Sequence, residues 1–234
     1  MDNLLGVLGG MGPLATVDFM RKLIAETPAL RDEDHIPVVV YSVPQIPDRP
    51  RAILSGGESP LPALLEGIRT LKQAGAAAIA IPCNTAHFWY DDMVRAGGLP
   101  ILHIADATLA QLALRRVGPG AVGLIGTKGT LAAGFFQQRL ESQGYRCIVN
   151  SVTEQDELVL PAITHVKRNE LDAARPLVEA AIAGLLANDA AVVVLACTEI
   201  PVVLDRIEPA AAALCIDATR ALASACVAWW QGRE

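Results

Sequence analysis

Short apolar runs alternate with longer amphipathic segments along the whole chain. The runs are too short for buried helices and predict strands that are covered on both faces. These strands are expected at 4–9, 37–41, 76–81, 100–104, 121–125, 145–149, 190–195 and 213–216. Helices are expected at 13–27, 61–74, from 105 to about 117, from about 128, at 154–187 with a break near Asn169, and at 218–230. The prolines at 44–50 predict a stiff loop after the second strand. This alternation predicts an α/β fold with parallel sheets and right-handed crossovers.

Two landmarks occur twice, at nearly the same spacing. The run GGMG at 9–12 and the run GTKG at 126–129 each follow a predicted strand, with an offset of 126 − 9 = 117. Cys83 and Cys197 each follow another predicted strand, with an offset of 197 − 83 = 114. The repeat predicts two similar α/β units. We expect one unit at 1–103 plus 210–234, to which the last strand and helix return, and a second unit at 104–209.

Composition narrows the class of protein. The 234 residues are 52% hydrophobic, with a mean hydropathy of +0.37, but no apolar run approaches the roughly 20 residues that span a bilayer. A net charge of −6 and an aromatic content of 4% argue against nucleic-acid binding. The N-terminus lacks the basic segment of a signal peptide, and the five cysteines include no CxxC pair. These features favour a cytoplasmic protein with reduced thiols.

The repeated cysteines are the candidate reactive groups. Cys83 and Cys197 are each expected just beyond the carboxyl end of a strand, where open α/β sheets bind ligands. If the units face each other along these edges, the two thiols meet across a cleft. A free thiol has a pKa of about 8.5, which a helix N-terminus lowers. Asn84 or Thr85 is expected to cap the following helix, and the unpaired backbone N–H groups of 84–86 and 198–199 suit a carboxylate.

Two acid/base groups on opposite sides of one carbon suit inversion of a stereocentre. One group removes the α-proton and the other delivers a proton to the far face. The chain offers no pattern for a Schiff-base lysine, and His35, His103 and His165 lack metal-ligand spacing with the cysteines. We therefore expect neither a cofactor nor a metal.

Each candidate has a structural alternative. A single cysteine after a strand is usually a core residue, and we assign that role to Cys147, Cys215 and Cys226. The run at 10–15 fits the dinucleotide pattern GxGxxA, but the strand at 38–41 ends without a ribose-binding acid, so nucleotide binding is disfavoured. A simple tight turn at 9–12 and a functional turn both stay open. His87 is one helical turn after Cys83, where it either tunes the thiol or faces solvent. Glu199 is expected either to hold a substrate amine or to pair with a structural lysine.

Five motifs carry a resemblance to a known family. GGMGPLAT at 9–16, PQIPDR at 44–49, PCNTAH at 82–87, GTKGT at 126–130 and ACTEI at 196–200 resemble the cofactor-independent aspartate racemase family. The resemblance implies two pseudo-symmetric, flavodoxin-like parallel-sheet domains with the active site in the cleft between them, usually in a homodimer. It also implies that Cys83 and Cys197 are the catalytic acid/bases, the first serving the D and the second the L enantiomer.

The resemblance also suggests how the substrate is held. The family reads the side-chain carboxylate with an arginine and a lysine, which match Arg49 and Lys167 here, with Arg168 as the alternative to the lysine. A bidentate guanidinium suits a carboxylate. The same motifs contribute the remaining candidate substrate-binding residues, which are Met11, Asn84, Thr85, Ala86, Thr127, Thr198 and Glu199.

Three functions follow from these observations. The first is racemisation of aspartate, with glutamate as the second candidate substrate. The second is isomerisation or decarboxylation of a related dicarboxylic acid; such decarboxylases need only one of the two cysteines. The third is a non-catalytic amino-acid-binding module, against which the two cysteines argue.

Overall fold

Two four-stranded parallel sheets form the framework in a computed structural model that describes residues 3–118, 120–207 and 209–232. The first sheet contains β1 (Leu5–Gly9), β2 (Val38–Ser42), β3 (Ala78–Ala80) and β4 (Ile101–Leu102). The second contains β5 (Ala121–Gly126), β6 (Arg146–Val149), β7 (Val192–Ala196) and β8 (Cys215–Asp217). Their strand orders, β2-β1-β3-β4 and β6-β5-β7-β8, are the same. This is the first part of the flavodoxin-like order, so the predicted α/β fold of two similar units is confirmed.

Helices connect the strands and cover the sheets. In the first half these are α1 (Pro13–Glu26), α2 (Arg49–Ser55), α3 (Leu61–Gln73), α4 (Tyr90–Gly97) and α5 (Ile104–Leu114). In the second half they are α6 (Lys128–Ala133), α7 (Phe135–Ser142), α8 (Val152–Glu154), α9 (Leu160–Lys167), α10 (Leu171–Ala187), α11 (Pro209–Ala213) and α12 (Ala218–Trp230). No helix in the described part of the chain is long and apolar enough to cross a membrane.

The predicted long helix at 154–187 is divided. A π-helical turn at Gln155–Val159 follows α8 and leads into α9. Asn169 has a φ of +61°, in the left-handed region that asparagine tolerates, and separates α9 from α10. The break predicted near Asn169 is therefore confirmed.

The proline-rich loop after β2 is shorter than expected because α2 begins at Arg49. The Asp48 side chain caps this helix by accepting a hydrogen bond from the Arg51 N–H at 2.7 Å. Pro50 lies in the first turn, where its missing N–H costs nothing. Gly56 ends the helix with a φ of +64°. The prolines at 44–47 form the loop, and Pro50 helps to start a helix.

The final strand does not return to the first unit. β8 pairs with β7 in parallel, from Val193 opposite Cys215 to Leu195 opposite Asp217, and therefore belongs to the second sheet. That part of the expectation is wrong, because β8 takes the place beside β7 that β4 takes beside β3. The following α12 packs against α1 and α5. The buried Lys22 ammonium links the units here, since its Nζ lies 2.6 Å from Asp217 Oδ2. The domain boundaries themselves stay a prediction.

Candidate active site

Equivalent strands of the two units present the two cysteines. Cys83 follows β3 after two residues, and Cys197 follows β7 directly; both strands are third in their sheets. Each cysteine leads into a 3₁₀ helix, Thr85–Trp89 or Ile200–Arg206, in place of the expected α-helix. Both thiols are buried and line one narrow cavity between the units. The cavity is lined by Met11, Arg49, Pro50, Cys83, Asn84, Thr85, Thr127, Lys167, Cys197, Thr198 and Glu199.

The Cys197 thiol has an acidic partner. Its Sγ donates a hydrogen bond to Oε2 of Glu199 at 3.1 Å, and both side chains are buried. Burial and the charge of Glu199 raise the pKa of the Cys197 thiol well above its usual range, and Lys167 offsets this only in part. The lowered thiol pKa expected from the sequence is therefore wrong for Cys197. This cysteine is protonated at neutral pH, with its proton directed at a carboxylate.

Asn84 offers unpaired polar atoms to the cavity. Its side chain is 2% exposed, and neither Oδ1 nor Nδ2 has a hydrogen-bond partner. The predicted cap is also absent, because this side chain makes no bond to the 3₁₀ helix that follows. A buried amide without partners is costly, and a ligand that supplies the missing bonds would account for a polar side chain in this position.

Three threonines join the units at one end of the cavity. Thr85 Oγ1 lies 3.0 Å from Thr127 Oγ1 and 2.8 Å from Thr130 Oγ1. Thr127 also caps α6, because its hydroxyl accepts the Thr130 N–H at 3.0 Å. Thr85 therefore does not cap its own helix; it bonds to the opposite unit. Thr130 was not among the predicted site residues, although it ends the GTKGT motif.

Arg49 lies at the mouth of the cavity. Its Nη1 donates to the carbonyls of Ile46 and Pro47 at 3.0 and 3.1 Å, which fix the guanidinium. Its Nε is buried and has no partner. Such a fixed guanidinium with a free donor is suited to a carboxylate.

Lys167, at the end of α9, lines the same cavity, and no ion pair to it is found among the described residues. The neighbouring Arg168 is exposed and does not line the cavity. Of the two alternatives left open by the sequence, the geometry favours Lys167.

His87 supports the Cys83 loop from behind. The ring is buried, with Nδ1 3.0 Å from the Cys83 carbonyl oxygen and Nε2 accepting the Ile104 N–H at 3.3 Å. These bonds place the proton on Nδ1. Burial lowers the pKa of His87 to about 4, so the ring is neutral. His87 therefore does not face solvent, and its hydrogen bond to Cys83 goes to the backbone carbonyl of that residue.

The other sequence candidates lie outside the cavity. The Ala86 side chain is buried in the core of the first unit, so only its backbone N–H can serve a substrate. Cys215 and Cys226 are buried and Cys147 is half-buried, all in hydrophobic clusters, as predicted for core thiols. Within the described ranges no group of three or more histidine, cysteine or acidic residues could hold a metal. Pro50 lines the cavity but was not predicted to do so.

The glycine turn after β1 closes the first unit over the site. Gly10 has a φ of +93°, and an added Cβ would lie 2.4 Å from the backbone of Val43, so only glycine fits. Its N–H donates to Thr16 Oγ1 at 2.8 Å. A Cβ at Gly12 would lie 3.4 Å from Glu199 Oε1, which shows how closely the turn approaches the opposite unit. These contacts are those of a tight turn at the edge of the cavity.

Comparisons with known proteins agree with this architecture. The chain is 29% identical over 212 residues to the broad specificity amino-acid racemase RacX of Bacillus subtilis, covering 88% of this chain and 89% of that one. It is 34% identical to the solved aspartate racemase of Picrophilus torridus, with a TM-score of 0.86 and coverage of 98% and 94%. A glutamate racemase of Bacillus anthracis, 18% identical, shares the fold with a TM-score of 0.74 and coverage of 99% and 83%.

A family model also matches almost the whole chain. The Asp/Glu/hydantoin racemase model covers residues 8–226, which include both cysteines, both glycine turns and the cavity between them. The chain is therefore a member of the Asp/Glu/hydantoin racemase family.

Proposed function

We propose that this protein racemises aspartate without pyridoxal phosphate, with Cys83 and Cys197 as the two acid/base groups. The observation that carries the proposal is the position of the cysteines. They follow equivalent strands of two facing units and line one cavity. Two acid/base groups placed on either side of one α-carbon invert it by removing a proton from one face and adding a proton to the other.

Because the Cys197 thiol is protonated, it acts as the proton donor at the start of the proposed reaction. For the D enantiomer, the Cys83 thiolate takes the α-proton and the Cys197 thiol gives its proton to the opposite face, which yields the L enantiomer. Cys83 is then a thiol and Cys197 a thiolate. For the reverse direction, Glu199 accepts the Cys197 proton along the existing hydrogen bond of 3.1 Å, and the Cys83 thiolate takes a proton from water. The Cys197 thiolate then takes the α-proton of the L enantiomer, and the Cys83 thiol gives its proton to the opposite face. After each turnover, Cys83, Cys197 and Glu199 exchange protons with water, which restores the Cys83 thiolate and the Cys197 thiol.

The cavity contains the groups that a dicarboxylic amino acid requires. Arg49 and Lys167 both line the cavity, and their charges support a role in binding the side-chain carboxylate of a diacid. The unpaired amide of Asn84 supports its assignment to the α-carboxylate, together with the backbone N–H groups that the sequence predicts after each cysteine. These donors also stabilise the charge that develops when the α-proton leaves. Aspartate is the preferred substrate in this account because a relative 34% identical is an aspartate racemase, and glutamate is the second candidate.

Optical activity tests the proposal directly. The purified protein is incubated separately with L- and D-aspartate in the absence of pyridoxal phosphate, and circular dichroism is followed over time. Both signals are expected to decay to zero. Cys147→Ser, which changes a thiol outside the cavity, is expected to retain this activity. If neither aspartate nor glutamate loses optical activity, while aspartate binds at equilibrium, the chain is a binding module and the proposal is wrong. Loss of CO₂ from a substituted malonate, without racemisation, would support the decarboxylase alternative.

Assembly and location stay predictions. We propose a homodimer, on the resemblance to the family, and a cytoplasmic location, on the five cysteines that include no CxxC pair. Sedimentation equilibrium of the purified chain, of 24.7 kDa, tests the dimer, and a mass near that of one chain would contradict it.

A further inference from the structure

A groove opens from the catalytic cavity toward the surface. Its volume is about 790 Å³, and its walls are the start of α1, the loop between β2 and α2, and the end of α9. The groove meets the catalytic cavity at Arg49, Lys167 and Glu199, which line both spaces. The groove is therefore continuous with the site at the position proposed for the side-chain carboxylate.

The walls of the groove are mainly apolar. Ile46 and Val166 are buried beneath it, and Leu14 is half-buried at one side. Val17 is 64% exposed at its outer part, which leaves apolar surface open to water. The volume is within the range of about 300–1,000 Å³ that is usual for small-molecule sites. Aspartate, whose carboxylate ends at Arg49 and Lys167, leaves this apolar space unused.

We infer that the groove is a second side-chain subsite, which admits amino acids whose side chains are apolar and longer than that of aspartate. The inference rests on the proposed racemase function and extends its substrate class. The α-carbon stays between Cys83 and Cys197, and the side chain passes between Arg49 and Lys167 to the apolar walls.

An apolar side chain can pass between the Arg49 and Lys167 cations at little cost in free energy. Lys167 is exposed, so its ammonium stays hydrated when no substrate carboxylate is bound. The Arg49 guanidinium keeps its bonds to the carbonyls of Ile46 and Pro47. An apolar side chain therefore leaves these interactions of the two cations in place, and release of water from Val17 and Leu14 favours its binding.

Filling the groove from α1 tests the inference. Exchange of the α-hydrogen in heavy water is measured for aspartate, methionine and leucine, with wild type, Val17→Trp and Ile24→Trp. Ile24 lies on the same helix, is similarly exposed at 58%, and does not line the groove, so it is the matched control. Wild type is expected to act on all three amino acids. Val17→Trp is expected to lower the ratio of kcat/KM for methionine to that for aspartate at least tenfold, and Ile24→Trp to leave this ratio within twofold.

Two results would overturn the inference. One is exchange of aspartate by wild type without exchange of methionine or leucine, which would leave the proposed racemase function intact. The other is an unchanged ratio in Val17→Trp. Loss of exchange for every amino acid, aspartate included, would instead contradict the proposed function.

Discussion

The Cys197 thiol donates a hydrogen bond to the Glu199 carboxylate over 3.1 Å, between two buried side chains. In the proposed two-base mechanism, Glu199 keeps the Cys197 general acid protonated and can later accept its proton. In this mechanism, the Cys197–Glu199 pair accounts for the thiol that gives a proton in one direction. It also accounts for the thiolate that takes a proton in the other direction. The pattern of a strand followed by a cysteine does not by itself predict this acidic partner of the Cys197 thiol.

Replacement of Glu199 tests this pairing. Glu199→Gln removes a negative charge that raises the pKa of Cys197, so that pKa is expected to fall. Racemisation is expected to decrease at least tenfold, because glutamine cannot accept the thiol proton. Alkylation of the thiol as a function of pH measures the pKa, with Cys83→Ser as the background. Glu157→Gln, an exposed change of the same type, is the control. A Cys197 pKa that does not move would contradict the electrostatic role of Glu199.

The Asn84 side chain is expected to contribute to substrate binding but not to the stability of the fold. Leucine has the same branched shape, and Asn84→Leu removes two buried polar atoms that have no partner. The free energy of unfolding is therefore expected to stay the same or to rise by about 1 kcal/mol. The KM for aspartate is expected to rise at least tenfold, because the substrate loses its bonds to the amide. Urea unfolding and steady-state kinetics measure the two effects. Loss of stability with an unchanged KM would show that the amide serves the fold instead.

The contact of Gly129 with Pro50 sets the distance between the units. A Cβ at Gly129 would lie 2.7 Å from Pro50 Cα and 3.3 Å from Thr85 Cγ2. Gly129→Ala is expected to reduce stability by about 1–3 kcal/mol and to reduce racemisation, because the cavity walls must move apart. Gly118→Ala is the control, since its Cβ would meet no atom within 4 Å. Thermal unfolding and initial rates provide the measurements, and equal effects of the two changes would contradict a steric contact between the units.

The buried histidines make stability dependent on acid. Burial lowers the pKa of His87 to about 4 and that of His103 to about 2, from 6.5. Below pH 6.5 the unfolded chain therefore binds protons that the folded chain does not, and stability present above pH 6.5 is lost as the pH falls toward 4. Each group contributes about 1.4 kcal/mol per pH unit in this window.

His87→Gln is expected to reduce the slope of unfolding free energy against pH by about this amount, measured by urea unfolding between pH 4.5 and 7. His35→Gln, which changes a ring outside the buried cluster, controls for the loss of a histidine. If the slope is unchanged in His87→Gln, the ring is not buried in its neutral form.

The sequence predicts the strands well, because buried parallel strands are apolar on both faces. It cannot predict which sheet takes the last one. The run before Asp217 is apolar whichever sheet it joins, and only its pairing with β7 decides the outcome. The sequence contains two signals for the start of α2, which are the Asp48 cap and Pro50 in the first turn. The other prolines nearby nevertheless favour a loop.

The same limit applies to the site. Cys83 and Cys197 could be predicted because each marks the end of a repeated strand. The bonds of Thr85 to Thr127 and Thr130 could not, because they depend on how the units face each other. The raised pKa of Cys197 cannot be predicted for a related reason: burial and Glu199 outweigh any effect of the short helix that follows.

The most direct test of the two-base account is isotope exchange by the single cysteine variants. Cys83→Ser and Cys197→Ser are each incubated in heavy water with L- and D-aspartate, and both deuterium incorporation and optical activity are followed. Each variant is expected to lose racemisation in both directions and to exchange the α-hydrogen of one enantiomer only, with opposite enantiomers for the two variants. Racemisation by either variant at the wild-type rate, or equal exchange of both enantiomers, would contradict the account.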